Sequence, residues 1–258
     1  MPMSSVTALG ERLKEKSPVI TAWCGIPEPW IAALMAREAY DAVTCDMQHG
    51  TYDLAAVVRA IPLIAAAGKP ALARIPVGEF QTASKLLDAG ASGIVAPMIN
   101  TVEDARRFVS FMKFPPVGER SWGPLVSMAL SGLQPTDYLG QANGFSIALA
   151  MIETREALAD IDAILAVPGL DAIFMGPSDM SITLSGGKAL NVTGAEVEKA
   201  LDHALARAKA AGKIAGAYAP TGERAAEFAK RGFSFIALGS DTTALRAGAQ
   251  AALKAAGR

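Results

Sequence analysis

The chain has 258 residues, of which 51% are apolar, with 24 Lys+Arg against 25 Asp+Glu. That length suits one large α/β domain, and a near-neutral balance with no basic stripe argues against a nucleic-acid partner. The longest apolar runs are broken by Arg, Pro or Gly well short of a membrane span, and Met1 to Ser17 carries charges instead of the apolar run of a secretory leader.

In chain order, continuous β-rich apolar runs predict strands at 19–24, 41–46, 70–74, 93–96, 146–152, 171–175, 214–218 and 235–238. Segments of helical period lie between them, near 28–38, 53–67, 79–88, 102–112, 155–165, 194–211, 221–231 and 241–256. Asp53 is placed to cap the second of these, and Gly68, Gly90, Gly212 and Gly232 each stand where a helix stops before a strand. Eight strand–helix units in a chain of this size predict a (β/α)8 TIM barrel occupying residues 1–258 as a single domain. An open doubly wound sheet is the alternative, but the turn Cys24-Gly25-Ile26-Pro27-Glu28 is no dinucleotide fingerprint. Two stretches break the rhythm, 113–145 and 176–193, and excursions of that length are usually functional loops or subunit contacts.

The charged fraction is 19%, low for a wholly wetted surface, which hints at contacts between subunits. Cys24 and Cys45 show no zinc-binding spacing and read as reduced, buried thiols of a cytoplasmic protein.

Reactive groups of such barrels sit at the C-terminal ends of the strands. Those ends carry Trp23, Asp46 with His49, Arg74, Glu153 and, after the sixth strand, Gly176-Pro177-Ser178-Asp179. Glu153 and Asp179 could share a hard divalent ion; equally, Glu153 could pair with Arg155 and Asp179 could cap a turn. Asp46 near His49 could orient the imidazole and raise its basicity, or His49 could be a plain loop residue. A guanidinium at Arg74 in a buried strand needs an anion, supplied by substrate or by a neighbouring acid. The turn at Gly176–Ser178 can hold a carboxylate on its N–H groups. His203, mid-helix among charges, reads as solvent-facing.

Taken together these residues resemble the HpcH/HpaI family of class II pyruvate aldolases, from about Trp23 to the last strand. The motifs are Asp46-Met47-Gln48-His49, Ala73-Arg74, Leu86-Leu87-Asp88-Ala89-Gly90, Pro97-Met98 and the run Phe114 to Arg120. Further along come Ile152-Glu153-Thr154-Arg155-Glu156-Ala157, Gly176-Pro177-Ser178-Asp179 and Gly239-Ser240-Asp241-Thr242-Thr243.

The resemblance implies a barrel of the phosphoenolpyruvate/pyruvate type that cleaves 4-hydroxy-2-oxo acids to pyruvate or hydroxypyruvate and an aldehyde. It implies Glu153 and Asp179 as ligands of Mg2+, Mn2+ or Co2+, His49 as base, Arg74 as enolate stabiliser and Asp46 beside His49. Substrate contacts would come from Trp23, Arg74, Met151 and the segment Gly176, Pro177, Ser178 and Asp179. Asp88 matches a family aspartate that raises the histidine's basicity. Because Asp88 closes a helix, it belongs to the rim opposite the strand ends and would serve a neighbouring subunit, in keeping with a homo-oligomer, trimer or hexamer. This chain has Met47-Gln48-His49 where Gly-Glu-His is frequent, Met151 where Gln is frequent, and Trp122 where small residues are usual; Trp122 and Tyr218 are further candidates to shape the pocket.

A Schiff-base aldolase is the rival chemistry, but Lys69 and Lys213 lie at strand starts. A malyl- or citramalyl-lyase-like enzyme and a non-catalytic metal-binding barrel compete with it as rival readings of the same residues.

Overall fold

Eight runs of small and β-branched residues form eight parallel strands that close in sequential order into a barrel. The computed structural model describes residues 4–15 and 17–258; Met1 to Met3 and Lys16, part of the N-terminal segment expected to lack a leader, lie outside them. The first half runs α1 (Ser5–Arg12), β1 (Val19–Cys24), α2 (Pro29–Met35), β2 (Ala42–Asp46), α3 (Leu54–Ala66), β3 (Ala71–Arg74), α4 (Phe80–Asp88), β4 (Gly93–Ala96) and α5 (Val102–Met112). There follow α6 (Leu125–Ser131), α7 (Pro135–Phe145), β5 (Ile147–Ile152), α8 (Arg155–Ala159), α9 (Ile161–Leu165), β6 (Ala172–Met175) and α10 (Pro177–Leu184). The last elements are α11 (Ala195–Ala210), β7 (Ile214–Ala219), α12 (Gly222–Arg231), β8 (Phe235–Leu238) and α13 (Asp241–Ala255).

Each strand lies within one residue of its expected bounds, and Asp53 caps α3 by accepting the Ala56 N–H at 2.6 Å. All four helix-stop glycines take positive φ, between 64° and 104°. The two excursions hold helices that periodicity did not single out: α6 and α7 in the first, α10 in the second. The helix expected over 155–165 is two short pieces, broken at Asp160.

Side chains alternate across each strand, so residues two apart share a face. Val19 and Trp23 of β1, Leu72 of β3, and Ile147, Leu149 and Met151 of β5 pack inside the barrel with Phe174 and Phe235. Leu9 and Leu13, on and just after α1, join that interior cluster and plug the end where the strands begin. Cys24 and Cys45 are register partners that face outward into the helix layer; both are free and buried. Burial pushes the Cys45 thiol up to about 12. Among the described residues no helix is long and apolar enough to cross a membrane.

Candidate active site

Continuing the interior alternation by one step places the chemistry. Leu72 leads to Arg74 at the end of β3, and Ile147, Leu149 and Met151 lead to Glu153 just past β5. These groups surround a cavity of about 320 Å³ at the C-terminal mouth, lined also by Trp23, Asp46, His49, Phe174, Gly176, Pro177, Ser178, Asp179, Tyr218 and Asp241. Among the described residues no lysine lines it.

Asp46 and Arg74 are register partners on β2 and β3. Arg74 Nε donates to Asp46 Oδ1 at 2.8 Å and Nη2 donates to Oδ2 at 2.6 Å. Trp23 Nε1 donates to Oδ2 at 3.2 Å, and the backbone N–H groups of Gln48 and His49 donate to Oδ1 at 3.0 and 3.3 Å. Burial acts to raise the Asp46 pKa, but the hydrogen bonds and charge of Arg74, with the two N–H groups, outweigh it and hold this carboxyl below its ordinary value. The expectation that Asp46 orients the His49 ring is therefore corrected: Asp46 meets His49 through the backbone N–H and commits its oxygens to Arg74. The Arg74 guanidinium also lies over the Trp23 ring, 5.0 Å from its centroid, while Trp23 stacks on Phe174 at 5.7 Å.

Glu153 is 1% exposed, and its Oε2 accepts the Met98 N–H at 3.1 Å. Met98 holds a left-handed φ of 54°, a strained position for a side-chain-bearing residue, and this aims its N–H at the carboxylate. Burial above all, with the neighbouring Asp179 carboxylate, raises the Glu153 pKa, while the Met98 N–H and Arg74 lower it; the balance is pushed up to about 7. Arg155 donates instead to the Leu184 carbonyl, so the alternative Glu153–Arg155 pair does not form. A Cβ on Gly176 would stand 2.2 Å from Glu153 Oε1, so any other residue here would displace that carboxylate. Two neighbouring carboxylates lining one cavity form an oxygen donor set that fits a hard divalent cation. Among the described residues no group of three or more His, Cys, Asp or Glu gathers, so protein oxygens beyond this pair are few.

His49 is exposed at the mouth, and Met151 is buried in its wall. Pro177 occupies the first turn of α10, where its missing N–H costs nothing, and Ser178 and Asp179 follow it at the pocket edge. Asp88 lies away from the mouth at the end of α4, where the buried Arg120 donates to it at 2.7 Å; it does not line this chain's cavity. Trp122 likewise lies outside the mouth, against Phe114 and Tyr138, which corrects its reading as a pocket residue of the same chain. Tyr218 does line the pocket, edge-on to Trp23, and His203 is exposed as expected. Phe174, Gly50 and Asp241 line the cavity too, and no sequence pattern gave them a place there.

The profile of the family described as HpcH/HpaI aldolase/citrate lyase matches residues 20–247. The chain is 39% identical to the hydroxypyruvate/pyruvate aldolase of Rhizorhabdus wittichii over 236 residues, covering 92% of this chain and 93% of that one. It is 33% identical to the 4-hydroxy-2-oxo-heptane-1,7-dioate aldolase of Salmonella dublin over 244 residues, 95% of this chain and 92% of that one. The crystal structure of an HpcH/HpaI aldolase/citrate lyase family protein from Burkholderia cenocepacia superposes with a TM-score of 0.88 at 28% identity, covering 98% of this chain and all of that one.

Proposed function

This chain belongs to the HpcH/HpaI aldolase/citrate lyase family, and from that premise we propose that it is a metal-dependent carbon–carbon lyase. The reaction is reversible aldol cleavage of a 4-hydroxy-2-oxo acid to pyruvate or hydroxypyruvate and an aldehyde. The observation that carries the reading is the buried Glu153 carboxyl beside Asp179, facing the Asp46-held Arg74 across one cavity that, among the described residues, no lysine lines.

Glu153 and Asp179 would hold Mg2+, Mn2+ or Co2+, all of which accept oxygen ligands. When bound, such an ion supplies positive charge beside the oxygen on which enolate charge develops. His49 takes the proton of the substrate 4-hydroxyl; the C3–C4 bond then breaks, the aldehyde leaves, and the proton returns to C3 to give the 2-oxo acid. Arg74, with Nε and Nη2 given to Asp46, keeps Nη1 to donate to the developing oxyanion. The N–H groups at the start of α10 hold the substrate carboxylate. Trp23, Met151 and Phe174 wall off water on the other side.

We place the protein in the cytoplasm as a single-domain subunit of a homo-oligomer, a trimer or hexamer. Support for the oligomer comes from Leu125, Trp30 and Leu245, which are 74%, 64% and 63% exposed, and from Asp88, which can meet a mouth only across a subunit boundary. The test of function is incubation of pyruvate with a small aldehyde and Mn2+. Consumption should stop with EDTA and survive in enzyme first treated with pyruvate and borohydride and then freed of both; consumption that survives EDTA and is abolished by that treatment would replace this reading with a Schiff-base route.

A further inference from the structure

Asp241 is 3% exposed, although the remainder of α13 is exposed along its length. Its carboxylate forms no ion pair among the described residues. It accepts the Gly25 N–H through both oxygens at 3.0 and 3.1 Å, the Ile26 N–H at 2.9 Å and the Thr242 N–H at 2.7 Å. The loop after β8 thereby grips the loop after β1. That loop in turn grips the next: the Gly25 carbonyl accepts the Thr51 N–H at 3.0 Å and the Thr51 hydroxyl at 3.3 Å. Between them Gly50 lies flat on Gly25, and a Cβ there would come within 2.8 Å of Gly25 Cα and 2.2 Å of the Asp46 carbonyl oxygen. His49 is the residue immediately before this contact.

Two structural tasks that would otherwise account for Asp241 are already filled. Ser240 caps α13 by accepting the Thr243 N–H. The barrel closes between β1 and β8 through a four-residue ladder running from Val19↔Phe235 to Ala22↔Leu238. What Asp241 adds is the tie from Gly25 and Ile26 across to the loop of His49.

We propose that Asp241 is a positioning residue for His49, acting through Gly25 and Gly50 on the loop after β2. The proposal rests on the reading of His49 as the proton carrier for its catalytic consequence, but not for the tie itself. Glu153 and Asp179 stand on the opposite side of the mouth, after β5 and β6, so the metal pair is independent of the tie.

The experiment measures backbone hydrogen exchange of the metal-free protein together with kcat, KM and Mn2+ affinity, in Asp241→Asn, Asp241→Ala and Gly50→Ala. Exchange should rise over residues 47–52 in all three. Mn2+ affinity and KM for the 2-oxo acid should hold, and kcat should fall by about 10²-fold, the usual cost of a misplaced catalytic group. Asp241→Asn should lose less than Asp241→Ala, since Oδ1 can still accept. Asp241→Asn, the milder change, decides the matter should Asp241→Ala not fold; Gly50→Ala also presses on the Asp46 carbonyl, so it serves only to show that exchange over 47–52 reports on the Gly25–Gly50 contact. Wild-type exchange over 47–52 in Asp241→Asn, or a kcat loss that merely tracks lost Mn2+ affinity, overturns the proposal. If His49→Gln keeps wild-type kcat, the base assignment fails instead, and the exchange data still decide the tie.

Discussion

Arg74 and Asp46 meet side by side through two parallel hydrogen bonds, because strand register sets them opposite one another at the ends of β3 and β2. This fork-to-fork geometry fixes the guanidinium plane and leaves Nη1 without a bond to Asp46.

Arg74→Lys should therefore behave as a loss and not as a conservative change. A single ammonium cannot bind both Asp46 oxygens in the plane and also present a donor to substrate. Turnover should drop on the order of 10²–10³-fold, as for removal of an oxyanion donor. Steady-state kinetics at saturating Mn2+ checks this, and near-wild-type kcat would remove Arg74 from the mechanism.

Glu153 makes the metal-free protein sensitive to pH. The folded chain keeps its proton up to about 7, whereas the unfolded chain releases it near the ordinary value of 4.5. The stabilisation from this group is complete below that ordinary value and is lost as pH rises through about 7. The EDTA-treated wild type should thus lose more melting temperature between pH 5 and pH 8 than Glu153→Gln does. Metal binding has the opposite sense, because ligation needs the ionised form: below pH about 7, Mn2+ affinity should fall roughly tenfold per unit. Calorimetric titrations in buffers of different ionisation heat would detect the released proton.

Gly176→Ala tests the close passage at the metal pair. The Gly176 φ of −100° suits any residue, so the backbone is unstrained and the conflict is purely of space, with Glu153 Oε1 at 2.2 Å from the added carbon. Displacing one carboxylate oxygen should weaken Mn2+ binding about 10- to 100-fold, in line with disturbed ligand support. Circular dichroism should stay native. Unchanged Mn2+ binding would show that Glu153 is not a ligand.

The sharing of Asp88 between subunits can be tested by mixing. Asp88→Asn and His49→Gln should each be inactive alone. Unfolded together and refolded, they should recover part of the activity if one subunit's Asp88 serves its neighbour's mouth. No recovery, with oligomers formed, would confine each site to its own chain.

The strands were legible in the sequence because parallel strands buried on both faces become unbroken apolar runs, and the C-terminal ends of those runs put Arg74 and Glu153 at the mouth. Nearness in the chain misled for Asp46: it lies three positions before His49, but its side chain turns across the sheet to a partner 28 positions away. The short helices α6, α7 and α10 escaped notice since each is a few turns long and punctuated by Gly or Pro, with too few repeats to establish a period. Asp241 stands in one of the motifs that carry the resemblance, yet its task was invisible there: it acts on backbone N–H groups 215 and 216 positions distant, and backbone groups carry no residue code.

The stacked interior column of β5, from Ile147 through Leu149 and Met151 to Glu153, makes the chemistry a matter of odd and even positions. Loops around the mouth tolerate changes of length, but one residue inserted within this strand would turn the acid outward among the helices and deliver Ile152 to the cavity instead. Such a chain would still close its barrel and would have lost half of the proposed cation site. Over evolutionary change, then, length variants of β5 should be admitted in pairs of residues or not at all.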